Sequence, residues 1–379
     1  MQKSRVLAAV ALLGAGLVAG AAPARAVTPI YNGKIAFSRV EPNQAGDVMD
    51  INPDGTGLLN LTPTTDGSGP SFRGDGTELA WVETGGTGTW VVASAPDGTG
   101  KHQLFQPPGG MHNARWSPDG TRFAYQADEA ANWAVATIHL INSDGTNHVK
   151  PFAAHDNVAE FSPSWSNNTQ LTFTDAYGGN TYAAYINADG TGRDDVLHDN
   201  GLSHVEMNRD CSRYVFDHFN GQTWSIYVTD GDGANAQRIF TDGFEPTFSP
   251  DSTQIAFART NKRGIWTMNV DGSNLRQLTM GDDSFPQWGA STTAPNEPPH
   301  ALGSAQNKAS LALFANAGAS YDSDGTIAAY EWRWGDNTAA TAKEYAWHQY
   351  SHAGTYLVRL TVTDNDGARS TRRAWIQVT

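Results

Sequence analysis

A large apolar residue, a small one and an aromatic follow one another six times along the chain. The triplets are Ile-Ala-Phe from Ile35, Leu-Ala-Trp from Leu79, Phe-Ala-Tyr from Phe123, Leu-Thr-Phe from Leu171, Tyr-Val-Phe from Tyr214 and Ile-Ala-Phe from Ile255. Such alternation has the period of two that marks a strand. Successive triplets lie 44, 44, 48, 43 and 41 residues apart. A polar turn precedes most of them, as in RWSPDGTRFAYQ from Arg115 to Gln126. There Pro118 presets φ for a β-turn, Asp119 tolerates the bridge region and Gly120 accepts a positive φ. A second turn follows each triplet, with Asp-Gly at its centre: NPDG from Asn52, APDG from Ala95, NSDG from Asn142, NADG from Asn187, DGDG from Asp230 and NVDG from Asn269. A period of roughly 40–45 residues with four strand signals per unit predicts the blades of a β-propeller.

The first repeat lacks the strand that should precede its triplet. SFPQWGA, from Ser284 to Ala290, supplies that strand at the far end, with Trp288 in register with Trp116, Trp165 and Phe248. This predicts ring closure by the last strand, which leaves no open sheet edge where the ends meet. The stretches WSPDGTRFAY from Trp116 and FSPDSTQIAF…IWTMNVDGSNLRQLT from Phe248 to Thr279 resemble the WD-like repeats of TolB-type propellers. The resemblance covers about residues 31 to 290 and implies a six-bladed fold. It implies no particular function, because propellers host many activities. TolB also has a separate domain ahead of its propeller, whereas here the first repeat follows the leader directly.

STTAPNEPPH, from Ser291 to His300, breaks the pattern and reads as a linker. Beyond it, SYDSDGTIAAYEWRWGDN from Ser320 and HQYSHAGTYLVRLTVTDNDG from His348 resemble a PKD (polycystic kidney disease) domain, an immunoglobulin-like sandwich. Arg333 stands where that family usually has Asp, and Asn337 where it has Gly; Asn tolerates the left-handed turn. Independently, Tyr356, Val358, Leu360 and Val362 alternate with Leu357, Arg359 and Thr361, as one core-facing strand requires. Trp332 and Trp334 share a face and are assigned to the core. The expected fold is therefore all-β: a six-bladed β-propeller over 27–290, a linker over 291–300 and an immunoglobulin-like β-sandwich over 301–379. In bacteria the PKD resemblance implies an accessory module of secreted enzymes and surface proteins.

Composition sets the compartment and narrows the partners. Lys3 and Arg5, an apolar run from Val6 to Ala19 and Ala-Arg-Ala ending at Ala26 predict a signal peptide over 1–26. The product is then expected outside the cytoplasm, in the periplasm or the medium. A formal net charge of −14 disfavours nucleic acid and anionic lipid as partners. Cys211 is the one cysteine, so no internal disulfide forms, and its turn position predicts an exposed tip. The expected partner is a protein or a polysaccharide, and the chain is expected to be a monomer.

Enzyme signatures are sparse. No G-x-S-x-G, H-E-x-x-H or P-loop occurs, and a thiolate zinc site is excluded by the cysteine count. Asp54, Asp97, Asp144, Asp189 and Asp271 occupy one turn slot in five repeats, which assigns them to backbone geometry. His348 and His352 lie four apart in a strand-and-turn context, where that spacing does not place two metal ligands on one face. Asp322 and Asp364 lie in two Asp-rich turns; calcium sites occur near these loops in some PKD domains, and a structural calcium on this pair is the one cofactor expected. In the propeller, strand alternation sends the residues one and three before each inner aromatic into the channel. That converges Arg115, His204, Glu206 and Glu245 as candidate ligands for a small polar molecule or a metal. The leading expectation is a secreted, non-enzymatic binding or scaffold protein. The alternative is a secreted carbohydrate-active enzyme, a polysaccharide lyase or hydrolase, with its site in the same channel.

Overall fold

The computed structural model describes residues 30–40, 46–86, 88–107, 109–128, 136–151, 159–177, 180–294, 298–365 and 367–379. The expected signal peptide lies outside the described residues. All regular elements among them are strands, and none is a helix long and apolar enough to cross a membrane.

Six antiparallel sheets make the blades of a propeller, five with four strands and one with three. In the three-stranded blade an isolated bridge between Leu140 and Val149 takes the fourth place. Blades two to six begin at their innermost strands, Asp66–Phe72, Met111–Trp116, Ala159–Asn167, Leu202–Met207 and Gly243–Phe248, and step outward by hairpins. Blade one is assembled from both ends of this region. Its innermost strand is Asp282–Ser291, paired with Tyr31–Val40 so that Trp288 faces Ile35. The ring thus closes as the register of Trp288 predicts.

The triplets explain why blades stack. The large first and third residues of a triplet face the preceding blade, and the small middle residue faces the next one. Ala36 of blade one packs with Leu79 and Trp81 of blade two. Ala80 packs with Phe123 and Tyr125, Ala124 with Leu171 and Phe173, Val215 with Ile255 and Phe257, and Ala256 with Ile35 and Phe37. Each large pair therefore fills the space that a small residue leaves, which is how a core reaches close packing without voids. The second turns behave as their sequence requires. Gly55, Gly98, Gly145, Gly190, Gly233 and Gly272 all have φ between 79° and 85°. Asp54, Asp97, Asp144, Asp189 and Asp271 each accept the backbone N–H of the residue two places on, confirming them as turn formers.

Residues 298 onward hold two further sheets that face each other. One is Ser304–Ala309, Ala312–Asn316 and Tyr345–Gln349; the other is Ile327–Arg333, Gly354–Asp364 and Arg369–Val378. Their shared core holds Trp332, Trp334, Val358, Leu360 and Val362. The indoles of Trp332 and Trp334 stack 5.9 Å apart. Asn337 adopts φ 64°, so the turn survives the loss of glycine. His348 stacks on Trp334 and meets Asp336 at 2.6 Å, which ties it into the packing of this core.

Closure gives a direct test of the fold. Trp288 is buried between blades one and six, and loss of a buried Trp costs about 3–5 kcal/mol. A chain ending at Gly281 is expected to aggregate, because it also exposes the edge of Tyr31–Val40. A chain ending at Ala294 should stay soluble and melt cooperatively. Equal solubility and melting of the two would overturn the closure.

Candidate functional site

The channel is shaped by a defect repeated in every innermost strand. Pairing slips by one residue between Ser68 and Ser71, His112 and Arg115, Phe161 and Ser164, Ser203 and Glu206, and Phe244 and Thr247. At each slip one residue takes a left-handed conformation: Gly69, Asn113, Ser162, His204, Glu245 and, in the closing strand, Phe285, with φ between 42° and 62°. These are β-bulges, in which two residues face one partner. Proline follows in four of them, at Pro70, Pro163, Pro246 and Pro286, and a bulge tolerates a residue without an N–H. Simple alternation therefore does not hold along these strands. The residues one and three before the aromatic still line the channel, but the bulge puts them there.

A bulge leaves backbone N–H groups unpaired within its own blade, and buried donors must find acceptors. Here the neighbouring blade supplies them. Ser38 Oγ accepts from Gly69 N–H, and Asp217 Oδ2 accepts from Glu245 N–H at 2.6 Å. Glu245 Oε2 accepts from Phe285 N–H at 2.6 Å. One step further, Ser71 Oγ accepts from Trp116 N–H, and Glu206 Oε1 accepts from Phe248 N–H at 2.9 Å and from the Thr247 hydroxyl. The carboxylates of the channel are thus struts between blades.

Arg115, His204, Glu206 and Glu245 line one constriction of about 30 Å³, the volume of roughly one water. His204 Nδ1 lies 2.9 Å from Asp217 Oδ2, the same oxygen that holds the Glu245 N–H. Asp217 is the member that the sequence reading misses. Its slot, three residues after the start of the triplet, is uncharged in the other repeats: Ser38, Val82, Gln126, Thr174 and Ala258. A lone acid at a buried strand position was the available signal. Arg115 gives one hydrogen bond to the Ala114 carbonyl at 3.1 Å.

Burial dominates the electrostatics here. It pushes the Glu206 carboxyl up to about 7, against the Phe248 N–H, the Thr247 hydroxyl and Arg115. Glu245 also rises to about 7 by burial, with Asp217 adding to the rise while His204 and the Phe285 N–H oppose it. For His204, burial disfavours the imidazolium, but Asp217 and Glu245 outweigh it and hold the pKa above the usual range. Burial lowers that of Arg115, opposed by Glu206 and Glu245.

On one side the constriction opens into a funnel of about 360 Å³. Its rim is made by the first turns, including Arg73, Gly74, Pro118 and Arg209. Across the constriction lies a second cavity of about 340 Å³, against Arg39, Asn113 and Phe285. Cys211 stands exposed on a turn, at φ 60° where Gly120 has 71°.

In the C-terminal module, the carboxylate oxygens of Asp322 are shielded from solvent and, among the described residues, lack a well-formed hydrogen bond, with Asp324 close beside them. Burial and then the carboxylates of Asp324 and Asp364 raise its pKa. Asp364 is itself buried and accepts the Ala368 N–H at 2.9 Å. Hard-oxygen acceptors of this kind fit calcium. Among the described residues no group of three His, Cys, Asp or Glu side chains converges as a metal site, so carbonyls and water would complete such a shell.

Comparison with known proteins agrees with this architecture. Residues 296–379 match the PKD domain family. Collagenase ColA of Clostridium perfringens is 46% identical over 59 residues, 16% of this chain and 5% of that protein. A microbial collagenase of Vibrio alginolyticus is 26% identical over 163 residues, 40% of this chain and 19% of the relative. The chain thus spans a small part of both. TolB from Acinetobacter baumannii superposes with a TM-score of 0.58 at 15% identity, over 68% of this chain and 66% of that one. Hydrazine synthase of Kuenenia stuttgartiensis gives 0.57 at 10% identity, over 92% and 67%. At such identities the likeness is one of fold: a TolB-like propeller followed by a PKD domain.

The channel groups predict a pH dependence of stability. Glu206 and Glu245 have an ordinary pKa of 4.5 and rise to about 7 on folding, as does Glu160. A carboxyl raised by folding binds protons more tightly in the native state, so its contribution is present at low pH and lost as pH rises through about 7. His204, also raised, acts in the same direction. The turn aspartates Asp97, Asp144, Asp189 and Asp271 are lowered by their hydroxyl and N–H donors. They oppose the trend only at more acid pH. The melting temperature should fall by several degrees between pH 5.5 and 8, and less steeply in Glu206→Gln. Calorimetry that finds a flat or rising profile would refute these assignments.

Proposed function

We propose that this chain is a secreted, non-catalytic binding protein. Its propeller channel holds a small polar ligand, and its PKD module serves for spacing or attachment to a protein or polysaccharide outside the cytoplasm. The observation that carries this reading is the double use of the channel carboxylates. Glu206 and Glu245 each commit one oxygen to a neighbouring blade's N–H. A group so fixed is a good recognition element, because it is already ordered before the ligand arrives. It is a poor shuttle for protons or acyl groups, because moving it would release a buried N–H. The accessory role of the C-terminal module is supported by the PKD match.

One observation favours the second reading, a carbohydrate-active lyase or hydrolase. Asp217 orients His204 through Nδ1 at 2.9 Å, the arrangement that prepares a histidine as a general base. The two readings separate on turnover. Full-length protein should bind a hit from an array of oligosaccharides and peptides and return it unchanged in mass after prolonged incubation. The double variant His204→Asn with Glu206→Gln should lose that hit while melting within a few degrees of the parent. Asn is chosen because it tolerates the φ of 42° at this position. Binding that survives the double variant would remove the channel from the reading, and consumption of the hit would replace it with the enzyme.

Calcium belongs to the same proposal, held by Asp322 and Asp364 in the C-terminal module. Its role there is structural: to satisfy these oxygens and lock two turns together. Calcium added after chelation should raise the melting temperature of the full chain's C-terminal transition, and Asp322→Asn should abolish the rise. An equal rise in the variant would place any calcium elsewhere.

A further inference from the structure

Arg209 crosses the mouth of the funnel. It sits in the hairpin after the innermost strand of blade five, and its Nη1 donates to the carbonyl of Gly74 at 3.2 Å. Gly74 belongs to the equivalent hairpin of blade two. Blades two and five stand opposite each other in a ring of six, so one side chain spans the opening. Beneath it lies the cavity of about 360 Å³, within the roughly 300–1,000 Å³ typical of small-molecule sites.

The charges of this funnel are unusual for the protein. The chain has a net charge of −14. Yet Arg115 at the floor and Arg209 at the mouth each spend a single hydrogen bond, on a neutral carbonyl. Among the described residues neither has a carboxylate within ion-pairing distance. Arg73 at the rim differs, being paired with Asp75 and Glu78. Glu206 and Glu245 act on Arg115 only from beyond ion-pairing distance, which leaves its N–H donors open, and a guanidinium with open donors in a cavity partly screened from solvent attracts anions with planar oxygens. Ser71, Ser164 and Gln287 stand in the ring position that Arg115 and Glu206 occupy in their own blades, and Asn167 lies in the first turn of blade four; together they offer hydroxyls and amides to a ligand. On the floor, Glu206 Oε2 has no donor among the described residues, while Oε1 is committed to Phe248 and Thr247.

We propose that the funnel binds a small hydroxylated oxyanion, whose carboxylate or phosphate group is received by Arg115 and whose hydroxyls meet Glu206 and the polar lining, with Arg209 closing the mouth behind it. The proposal rests on the channel reading above and names its ligand class. Arg209 forms an exposed, single hydrogen bond to Gly74, so releasing it to admit a ligand costs little. Trp116 and Trp165 line the same funnel and supply a fluorescence signal.

The test titrates full-length protein with glucuronate, glucose 6-phosphate and glucose, which share a body and differ in head group. At least one of the two anions should bind and glucose should not; the preferred anion tells carboxylate from phosphate. Arg115→Gln should weaken the binding anion about tenfold or more, the scale expected when a charged hydrogen bond is lost. Arg209→Ala, on an exposed turn, keeps the test decisive if Arg115→Gln fails to fold. In stopped-flow fluorescence it should release the anion several times faster than the parent. Failure of both anions to bind at millimolar concentration, equal binding of glucose, or unchanged behaviour in both variants would overturn the proposal. A neutral ligand that is lost in the His204→Asn, Glu206→Gln variant but not in Arg115→Gln would overturn it while leaving the channel reading intact.

Discussion

The ring depends on one packing relation, a small residue in one blade facing a large pair in the next. Ala36, Ala80, Ala124 and Ala256 are the sockets, and the flanking residues of the following triplet are the plugs. A single blade exposes both faces of its sheet and cannot bury them alone. Only the closed ring supplies every socket with its plug, which is why the strand that completes blade one comes from the far end of the propeller. Enlarging a socket residue would overpack the interface, and shrinking a plug would leave a cavity; both are costly in a close-packed core.

A polar relation of the same form operates nearer the axis. Six bulges open the innermost strands and free N–H groups that the preceding blade must accept. Ser38, Ser71, Glu206, Asp217 and Glu245 do so from equivalent or adjacent positions. The polarity of the channel therefore begins as a structural need. Where the acceptor is a serine, the need is met and nothing remains. Where it is a glutamate, a second oxygen and a charge are left over, and these are what a ligand can use. Binding capacity here grows out of the way blades are joined.

The two modules reach stability by different means. The propeller distributes its core over six interfaces, whereas the C-terminal sandwich concentrates its own around Trp332 and Trp334. Its family match covers 296–379, and its nearest chemistry of interest, the carboxylate oxygens of Asp322, lies in the turns and not in that core.

The repeats, the turn glycines, the closing strand and the core tryptophans were legible in the sequence, because each follows from local rules. Period two gives strands, Asp-Gly gives turns, and a missing strand at one end with a spare one at the other gives closure. The meeting of Arg115, His204, Glu206 and Glu245 was also legible, since equivalent positions in a ring must face one axis. The bulge was not read, although Pro70, Pro163, Pro246 and Pro286 mark it in four strands; a proline inside a strand signals irregularity but not its form. Only the tertiary structure decided which oxygen of each glutamate is already engaged, that Asp217 holds His204, and that Arg209 reaches Gly74 across the opening. Those contacts join residues of different strands and, in most cases, different blades. Their distances depend on how the blades are turned about the axis, a quantity that no local pattern of residues contains.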